Sequence, residues 1–183
     1  MRVTHLIDGV PDNQLAQDLA AFLTDRRARG LSQRTVEYYT LELGFLASYL
    51  ESRGVTSAER VTPTHVREYL LHLQERRNAG GCHADFRAAA AWLRWLWTEY
   101  ELEGTCPAEK VQGPRVNTEP LPPVSPETLA AMLAACPSRS FLDLRDKALM
   151  MVLADSGLRA NEALSLCVID CNLATGAIRV EHG

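Results

Sequence analysis

The stretch "DSGLRANEALSL", from Asp155 to Leu166, decides how this chain is interpreted. It follows the apolar run "ALMMVLA", which predicts a buried helix, and Gly157 is a natural end for that helix because glycine tolerates a left-handed backbone. An ionised side chain in an apolar setting needs partners, since burial of an unpaired charge destabilises a fold. Arg159 therefore indicates either a salt bridge with Glu162, three residues later, or a site that binds an anion.

The residues around this stretch predict the beginning of a mixed domain. Helices are expected at about 125–136 and 141–156, and a short helix at about 161–167. Ser125-Pro126 has the N-cap residue and the first-turn proline of a helix start. Thr175-Gly176 joins two short strand-like runs as a hairpin. A lone hairpin is marginal in water, so residues 125–183 are expected to be the incomplete N-terminal part of a larger domain.

Four amphipathic helices are predicted in the first half of the chain. The first is expected at about 13–29. The second runs from an N-cap at Ser32 to before Gly54, and the third from Thr62-Pro63 to before Gly80-Gly81. The fourth is expected at about 83–101. Helices of this length with short connections form a small bundle. The predicted helical domain therefore covers residues 13–103.

The segment "EGTCPAEKVQGPRVNTEPLPPV", residues 103–124, separates the two halves. It is rich in proline and has little periodicity, which is typical of a linker. The linker is assigned to residues 104–124, with the domain boundary near residue 117.

Composition narrows the class of protein. Apolar residues make up 46% and charged residues 23% of the 183 residues, as in soluble globular proteins. No apolar run approaches the roughly 20 residues that span a bilayer, and no signal peptide is recognised. A cytoplasmic protein without membrane contact is expected. The five cysteines include no CxxC pair, which favours reduced thiols and no metal site.

One segment stands out against the net charge of −4. Residues 26–36, "RRARGLSQRTV", contain four arginines and no acid; these are Arg26, Arg27, Arg29 and Arg34. Such a cluster is either a phosphate-binding patch or a solvated loop and helix start, and spacing alone leaves both open.

Taken together, these segments resemble the tyrosine recombinases, also called the phage-integrase family. "SGLRANEAL", residues 156–164, resembles the first arginine box of that family. "FLTDRRARGLSQRTVEYYTLELGFLASYL", "VTPTHVREYLLHL" and "HADFRAAAAWLRWLWTEY" are similar to helices of its core-binding domain. Each motif by itself is weakly specific, but their order and spacing together are strongly so.

The resemblance implies a fold and an activity. The fold would be mainly α: a four-helix, SAM-like, DNA-binding domain, then the truncated helical and β-hairpin start of an α+β catalytic domain. The intact enzyme would cut and rejoin double-stranded DNA through a 3′-phosphotyrosine, as a homo-tetramer on paired sites, without a metal or nucleotide cofactor. Arg159 would grip the non-bridging oxygens of the scissile phosphate, and Glu162 would orient that arginine.

The resemblance also implies a DNA-binding surface on the second and fourth helices. The candidate contacts are Arg34, Thr35, Arg87 and Arg94, with Arg26, Arg27 and Arg29 along the backbone. The tyrosines all precede Arg159 and lie in the helical half, so none is assigned as the nucleophile. The chain alone is therefore expected to be inactive.

Two alternatives remain at this point. The chain is also compatible with a complete, non-catalytic DNA-binding or regulatory protein that uses the same domain. A helical module that binds no nucleic acid would leave the arginine cluster and the Arg159 box unexplained.

Overall fold

A computed structural model describes residues 14–117, 121–137 and 139–180. The chain falls into two compact units, Met1–Thr118 and Glu119–Gly183. Within the described ranges it forms seven α-helices, three short 3₁₀ helices and one two-stranded hairpin, so the mainly α fold is confirmed. None of the helices in these ranges is both long and apolar enough to traverse a lipid bilayer.

The first unit contains four long helices. They are α1 (Gln14–Ala28), α2 (Gln33–Ser52), α3 (Pro63–Gln74) and α4 (Ala79–Glu99). The predicted starts at Ser32 and Thr62-Pro63 are confirmed, because the Ser32 hydroxyl accepts the Thr35 N–H and the Thr62 hydroxyl accepts the His65 N–H. Residue 13, where the helical domain was predicted to begin, lies outside the described residues.

The third helix ends before Gly80-Gly81 as predicted, but the fourth begins at Ala79 and not at about residue 83. Both glycines lie in the first turn of α4, which begins at Ala79, whereas α3 already ends at Gln74. The side chain of Asn78 explains the difference: its Oδ1 accepts the Gly81 N–H at 2.8 Å and caps the helix. This cap and the packing of the rest of α4 outweigh the low helix propensity of two glycines.

The core of the first unit lies where α1, α2 and α4 meet, and α3 packs against α4. Its largest fully buried side chains include Phe22, Leu43, Leu46, Trp92 and Leu96. The Phe22 ring meets the rings of Tyr39 and Trp95 edge-on, at centroid distances of 5.4 and 5.6 Å. The packing fixes α2 and α4 against each other, and these are the two helices predicted to face DNA.

Part of the predicted linker belongs to this core. Residues Pro107–Lys110 form a 3₁₀ helix that packs against α3 and α4. Cys106, Ala108 and Val111 are buried in the hydrophobic cluster of the first unit. Residues 106–111 are therefore part of the helical unit, which extends beyond the predicted end at 103 and into the linker predicted for 104–124.

The described residues of the second unit form three α-helices, a short 3₁₀ helix and the hairpin. The α-helices and the strands are α5 (Pro126–Ala134), α6 (Phe141–Ser156), α7 (Ala160–Leu164), β1 (Cys171–Asn172) and β2 (Ala177–Ile178). Gly157 ends α6 with a φ of 66°, as predicted from its tolerance of left-handed backbone. The strands are antiparallel with Cys171 opposite Ile178, and the turn contains Thr175-Gly176 as predicted.

The prediction that α6 is buried is wrong. None of its residues is buried, and among the described residues of the second unit only Ala163 is. Large apolar side chains are exposed instead, among them Phe141, Leu142, Leu144, Met151, Leu164, Val168, Ile169 and Leu173. The described part of this unit has too little packed structure to cover the apolar face of a 16-residue helix.

Candidate phosphate-binding site and nucleic-acid interface

The turn between α6 and α7 positions Arg159. Because Gly157 ends α6 in a left-handed conformation, the chain turns and Arg159 becomes the N-cap of α7. Glu162 in the first turn of α7 contacts Arg159 at two points. Its Oε1 accepts from the Arg159 Nη1 at 2.7 Å, and its Oε2 accepts the Arg159 backbone N–H at 2.8 Å. One carboxylate therefore both starts the helix and orients the guanidinium.

The guanidinium of Arg159 is open to solvent. Its side chain is 81% exposed, whereas that of Glu162 is 11% exposed. Although Arg159 closely follows an apolar run in the sequence, the described residues do not enclose its side chain. Because only Nη1 contacts the carboxylate, most of the N–H donors of the guanidinium remain available to an anion.

Glu162 is suited to remain ionised. The Arg159 backbone N–H and then the Arg159 guanidinium donate to its carboxylate and lower its pKa below the ordinary value of 4.5. At neutral pH the carboxylate is therefore an acceptor that holds the guanidinium in place.

The arginine cluster at the end of α1 is partly neutralised. Asp25, the residue immediately before the acid-free segment, forms ion pairs with Arg26 at 2.8 Å and with Arg29 at 3.1 Å. Arg27 and Arg34 are exposed and have no ion pair within the described part of the chain. Of the four clustered arginines, these two have the most freely available charge.

Thr35 belongs to the N-terminal cap of α2. Its hydroxyl lies 2.8 Å from the Ser32 hydroxyl, and its N–H donates to the same group. Thr35 is half-buried, whereas the neighbouring Arg34 is exposed. Farther along α2, Leu41 and Phe45 are also exposed, so the outward face of this helix carries apolar side chains beside Arg34.

Arg87 and Arg94 lie seven residues apart and thus on one side of α4. Arg94 forms an ion pair with Glu109 of the 3₁₀ helix, and both side chains are about half exposed. Arg87 is exposed and has no ion pair among the described residues. It lines an open groove with His83, Gly113 and Arg115, which the sequence analysis did not connect with it.

A buried charge cluster in the first unit also escaped the sequence analysis. Arg77 lies 2.8 Å from Glu42 and 3.2 Å from Asp85, and both carboxylates are buried. The arginine thus connects α2 and α4 across the turn between α3 and α4. The sequence does contain a signal for this cluster: Glu42 and Asp85 lie on the inward, otherwise apolar faces of their helices. Acidic residues are rarely buried unless they are paired, so each predicts a basic partner.

The tyrosines of the first unit take part in packing. The Tyr38 hydroxyl donates to Asp85 at 3.4 Å, and the Tyr100 hydroxyl donates to Asp18 at 2.8 Å. Burial and the neighbouring carboxylates raise the pKa of both Tyr38 and Tyr100 to about 12. Burial also raises the pKa of Tyr69. Raised pKa values oppose formation of the phenolate, so these environments do not activate a nucleophile.

Among residues 14–117, 121–137 and 139–180, no group of three or more His, Cys, Asp or Glu side chains is arranged to hold a metal ion.

The chain is similar in sequence to curated tyrosine recombinases. The chain is 31% identical over 164 residues to the tyrosine recombinase XerC of Pelotomaculum thermopropionicum. That alignment covers 85% of this chain and 52% of the relative. The chain is 28% identical over 152 residues to XerD of Halalkalibacterium halodurans, covering 82% and 51%. It is 29% identical over 173 residues to XerC of Vibrio cholerae, covering 93% and 55%. The chain thus spans about half the length of these relatives.

Two further comparisons add less. No family model matches the chain. A solved structure described as the crystal structure of XerA recombinase covers 93% of the chain, at 19% identity and a TM-score of 0.41. Each of the three alignments with curated relatives covers at least 82% of the chain and therefore includes residues of both units, and all three relatives are tyrosine recombinases. The similarities to these curated relatives support the tyrosine recombinase family for this chain.

Proposed function

We propose that this chain is the N-terminal, DNA-binding half of a site-specific tyrosine recombinase. The observation that carries the proposal is the position of Arg159 at the start of α7, oriented by Glu162 and open to solvent on its other side. A guanidinium held in this way presents a planar, always charged set of donors to a phosphate. Residues 14–111 would form the core-binding domain, and residues 125–180 the beginning of the catalytic domain.

Arg159 would act on the scissile phosphate. In the proposed reaction a tyrosine hydroxyl attacks phosphorus, loses its proton and forms a 3′-phosphotyrosine, while the 5′-oxygen leaves as a hydroxyl. Charge on the non-bridging oxygens is stabilised by a cation already aimed at them. Rejoining is the reverse reaction, with the 5′-hydroxyl of a partner strand as the nucleophile. None of the chain's own tyrosines is assigned to this role, so the chain alone would not cleave DNA.

The first unit would bind duplex DNA through α2 and α4, with the C-terminal end of α1 alongside the DNA backbone. The exposed cations without an ion pair among the described residues, Arg27, Arg34 and Arg87, are the best candidates for backbone contacts. Arg94 contributes less, because Glu109 already compensates its charge. The intact protein would assemble as a homo-tetramer on two paired sites.

Fluorescence anisotropy with a labelled duplex tests DNA binding by the 183-residue chain. We expect binding that weakens steeply with salt, because contacts to phosphates release counterions. Combined Arg34→Ala and Arg87→Ala substitutions should weaken binding, whereas Arg60→Ala should not. Arg60 is a matched control, because it is exposed, has no ion pair among the described residues and lies outside α2 and α4. Absence of binding at low salt would contradict the proposal.

A suicide-substrate assay tests the chemistry. It uses the protein encoded by the whole reading frame that contains these 183 residues, and it detects covalent protein–DNA complex. Arg159→Ala should reduce the cleavage rate at least 10²–10³-fold, roughly the cost of losing one oxyanion donor. Arg159→Lys should restore little, because an ammonium cannot form the bidentate contact.

Arg139→Ala is the control for charge loss in the same unit, and it should cleave normally. Full cleavage by Arg159→Ala would make Arg159 a residue of local structure only. Duplex binding by the unsubstituted protein without any covalent complex would instead favour a non-catalytic DNA-binding protein.

A further inference from the structure

A groove lies between the first half of α4 and residues 113–117. His83 and Arg87 line it from the helix, and Gly113, Pro114 and Arg115 line it from the opposite side. None of the residues that line the groove carries a carboxylate. Residues 113–117 lie in the linker predicted from the sequence, for which no binding role was expected.

The segment is held against α4 by two contacts. The His83 Nδ1 lies 3.0 Å from the carbonyl oxygen of Pro114, and since a carbonyl only accepts, Nδ1–H is the donor. At Gly113 the backbone passes so close to α4 that an added Cβ would lie 2.6 Å from the Phe86 Cδ1. Only glycine fits there without a shift, so the position of Arg115 depends on this close approach.

Two cations without an ion pair among the described residues line the groove. Arg87 and Arg115 are both exposed, and neither has an ion pair among the described residues. Among the described residues, the acids nearest in sequence are engaged elsewhere: Asp85 is buried against Arg77, and Glu109 pairs with Arg94. On the α4 side the groove is also lined by Gly80 and Ala84, which have no side chain or a small one. Their small size leaves room for a ligand to approach both guanidinium groups.

We propose that this groove binds one backbone phosphate of duplex DNA through Arg87 and Arg115. His83 and Gly113 are positioning residues that hold Arg115 beside α4. The inference rests on the proposed function, because it takes duplex DNA as the ligand, but it adds residues outside the two helices expected to face DNA. Two guanidinium groups on a concave surface suit a phosphate, and contacts of this type fix the position of a protein on DNA without reading sequence.

The number of phosphate contacts is measurable from the salt dependence of duplex binding. Each neutralised phosphate contributes about 0.9 to the slope of log K against log salt. The double variant Arg87→Ala/Arg115→Ala should therefore lower the slope by about 0.9, and not by twice that, because both side chains share one phosphate. Arg115→Ala alone should weaken binding several-fold at low salt. Arg115→Lys should retain the slope, because it retains the charge.

The Gly113→Ala variant tests the position of Arg115 separately from its charge. It keeps every cation but displaces the segment, so we expect a loss of affinity similar to that of Arg115→Ala. Gly44→Ala is the matched control, because an added Cβ there meets nothing within 4 Å. Should Gly113→Ala fail to fold in a thermal melt, His83→Ala tests the same positioning by removing the bond to Pro114.

Each outcome decides the inference. Binding equal to the unsubstituted chain for both Arg115→Ala and the positioning variant overturns it while leaving the proposed function intact. An equal fall in slope for Arg60→Ala overturns it in favour of non-specific charge loss. If the unsubstituted chain does not bind duplex DNA at low salt, this inference and the proposed DNA binding both fail.

Discussion

Glu162 contacts Arg159 through both carboxylate oxygens, with Oε1 2.7 Å from the guanidinium Nη1 and Oε2 2.8 Å from the backbone nitrogen. The start of α7 and the direction of the arginine are therefore coupled through one side chain. A change that moves the helix start also moves the guanidinium. This coupling explains why a glycine stop, an arginine and an acid three residues later act as one unit.

Arg159→Ala in the 183-residue chain should change stability little. Its side chain is 81% exposed, and exposed ion pairs contribute about 0–1 kcal/mol. Glu162→Ala should lower the melting temperature more, because it also removes the acceptor of the backbone N–H of Arg159, the N-cap of α7. Thermal melts followed by circular dichroism compare the two. A larger effect of Arg159→Ala would show that the guanidinium, not the cap, stabilises this turn.

Arg77→Met should destabilise the first unit strongly. It leaves the buried carboxylates of Glu42 and Asp85 unpaired, and breaking such a cluster typically costs about 3–5 kcal/mol. The lower end of that range is expected, because the arginine side chain is 35% exposed. Urea unfolding measures the change.

Two further variants test whether the loss of stability in Arg77→Met comes from the unpaired carboxylates. Adding Glu42→Gln and Asp85→Asn should recover much of the lost stability, because neutral amides cost less to bury than unpaired carboxylates. Arg60→Met, at an exposed position with no ion pair among the described residues, should change the unfolding free energy by no more than about 0.5 kcal/mol. Equal effects of Arg77→Met and Arg60→Met would contradict the role of the cluster.

Alkaline pH should destabilise the first unit partly through Tyr100. Burial and the bond to Asp18 raise the pKa of its phenol from 10.0 to about 12. The native state thus holds this proton more tightly than the unfolded chain does. The resulting stability is fully present below pH 10 and is lost as the pH rises towards 12. Between pH 10 and 12 the unfolding free energy should fall less steeply for Tyr100→Phe than for the unsubstituted chain. Parallel curves for the two proteins would show that Tyr100 does not contribute to the loss of stability.

Limited proteolysis should first cut the interdomain segment on the C-terminal side of Val111. Cys106, Ala108 and Val111 are buried with the helical core, so the backbone before that point is protected. Mass spectrometry should therefore detect a stable fragment that retains residues 106–111. First cuts at 103–106 would instead support the linker boundaries expected from composition.

Local signals predicted much of this structure. Ser32 and Thr62-Pro63 mark helix starts, Gly157 marks a helix end, and Thr175-Gly176 marks the hairpin turn. Each depends on bonds or dihedral angles within a few residues, which residue type and spacing largely determine. The pairing of Arg159 with Glu162 also follows from spacing, because an acid in the first turn of a helix reaches back to its N-cap.

Contacts between distant residues were decided only by the tertiary structure. Arg77 reaches Glu42 across 35 positions, and His83 reaches Pro114 across 31. No local pattern encodes such pairs, since their geometry depends on how α2, α3 and α4 pack and on where the chain returns after α4. The burial of residues 106–111 and the exposure of α6 have the same origin. The amino-acid pattern determines which faces are apolar, but only packing determines whether a surface exists to cover them.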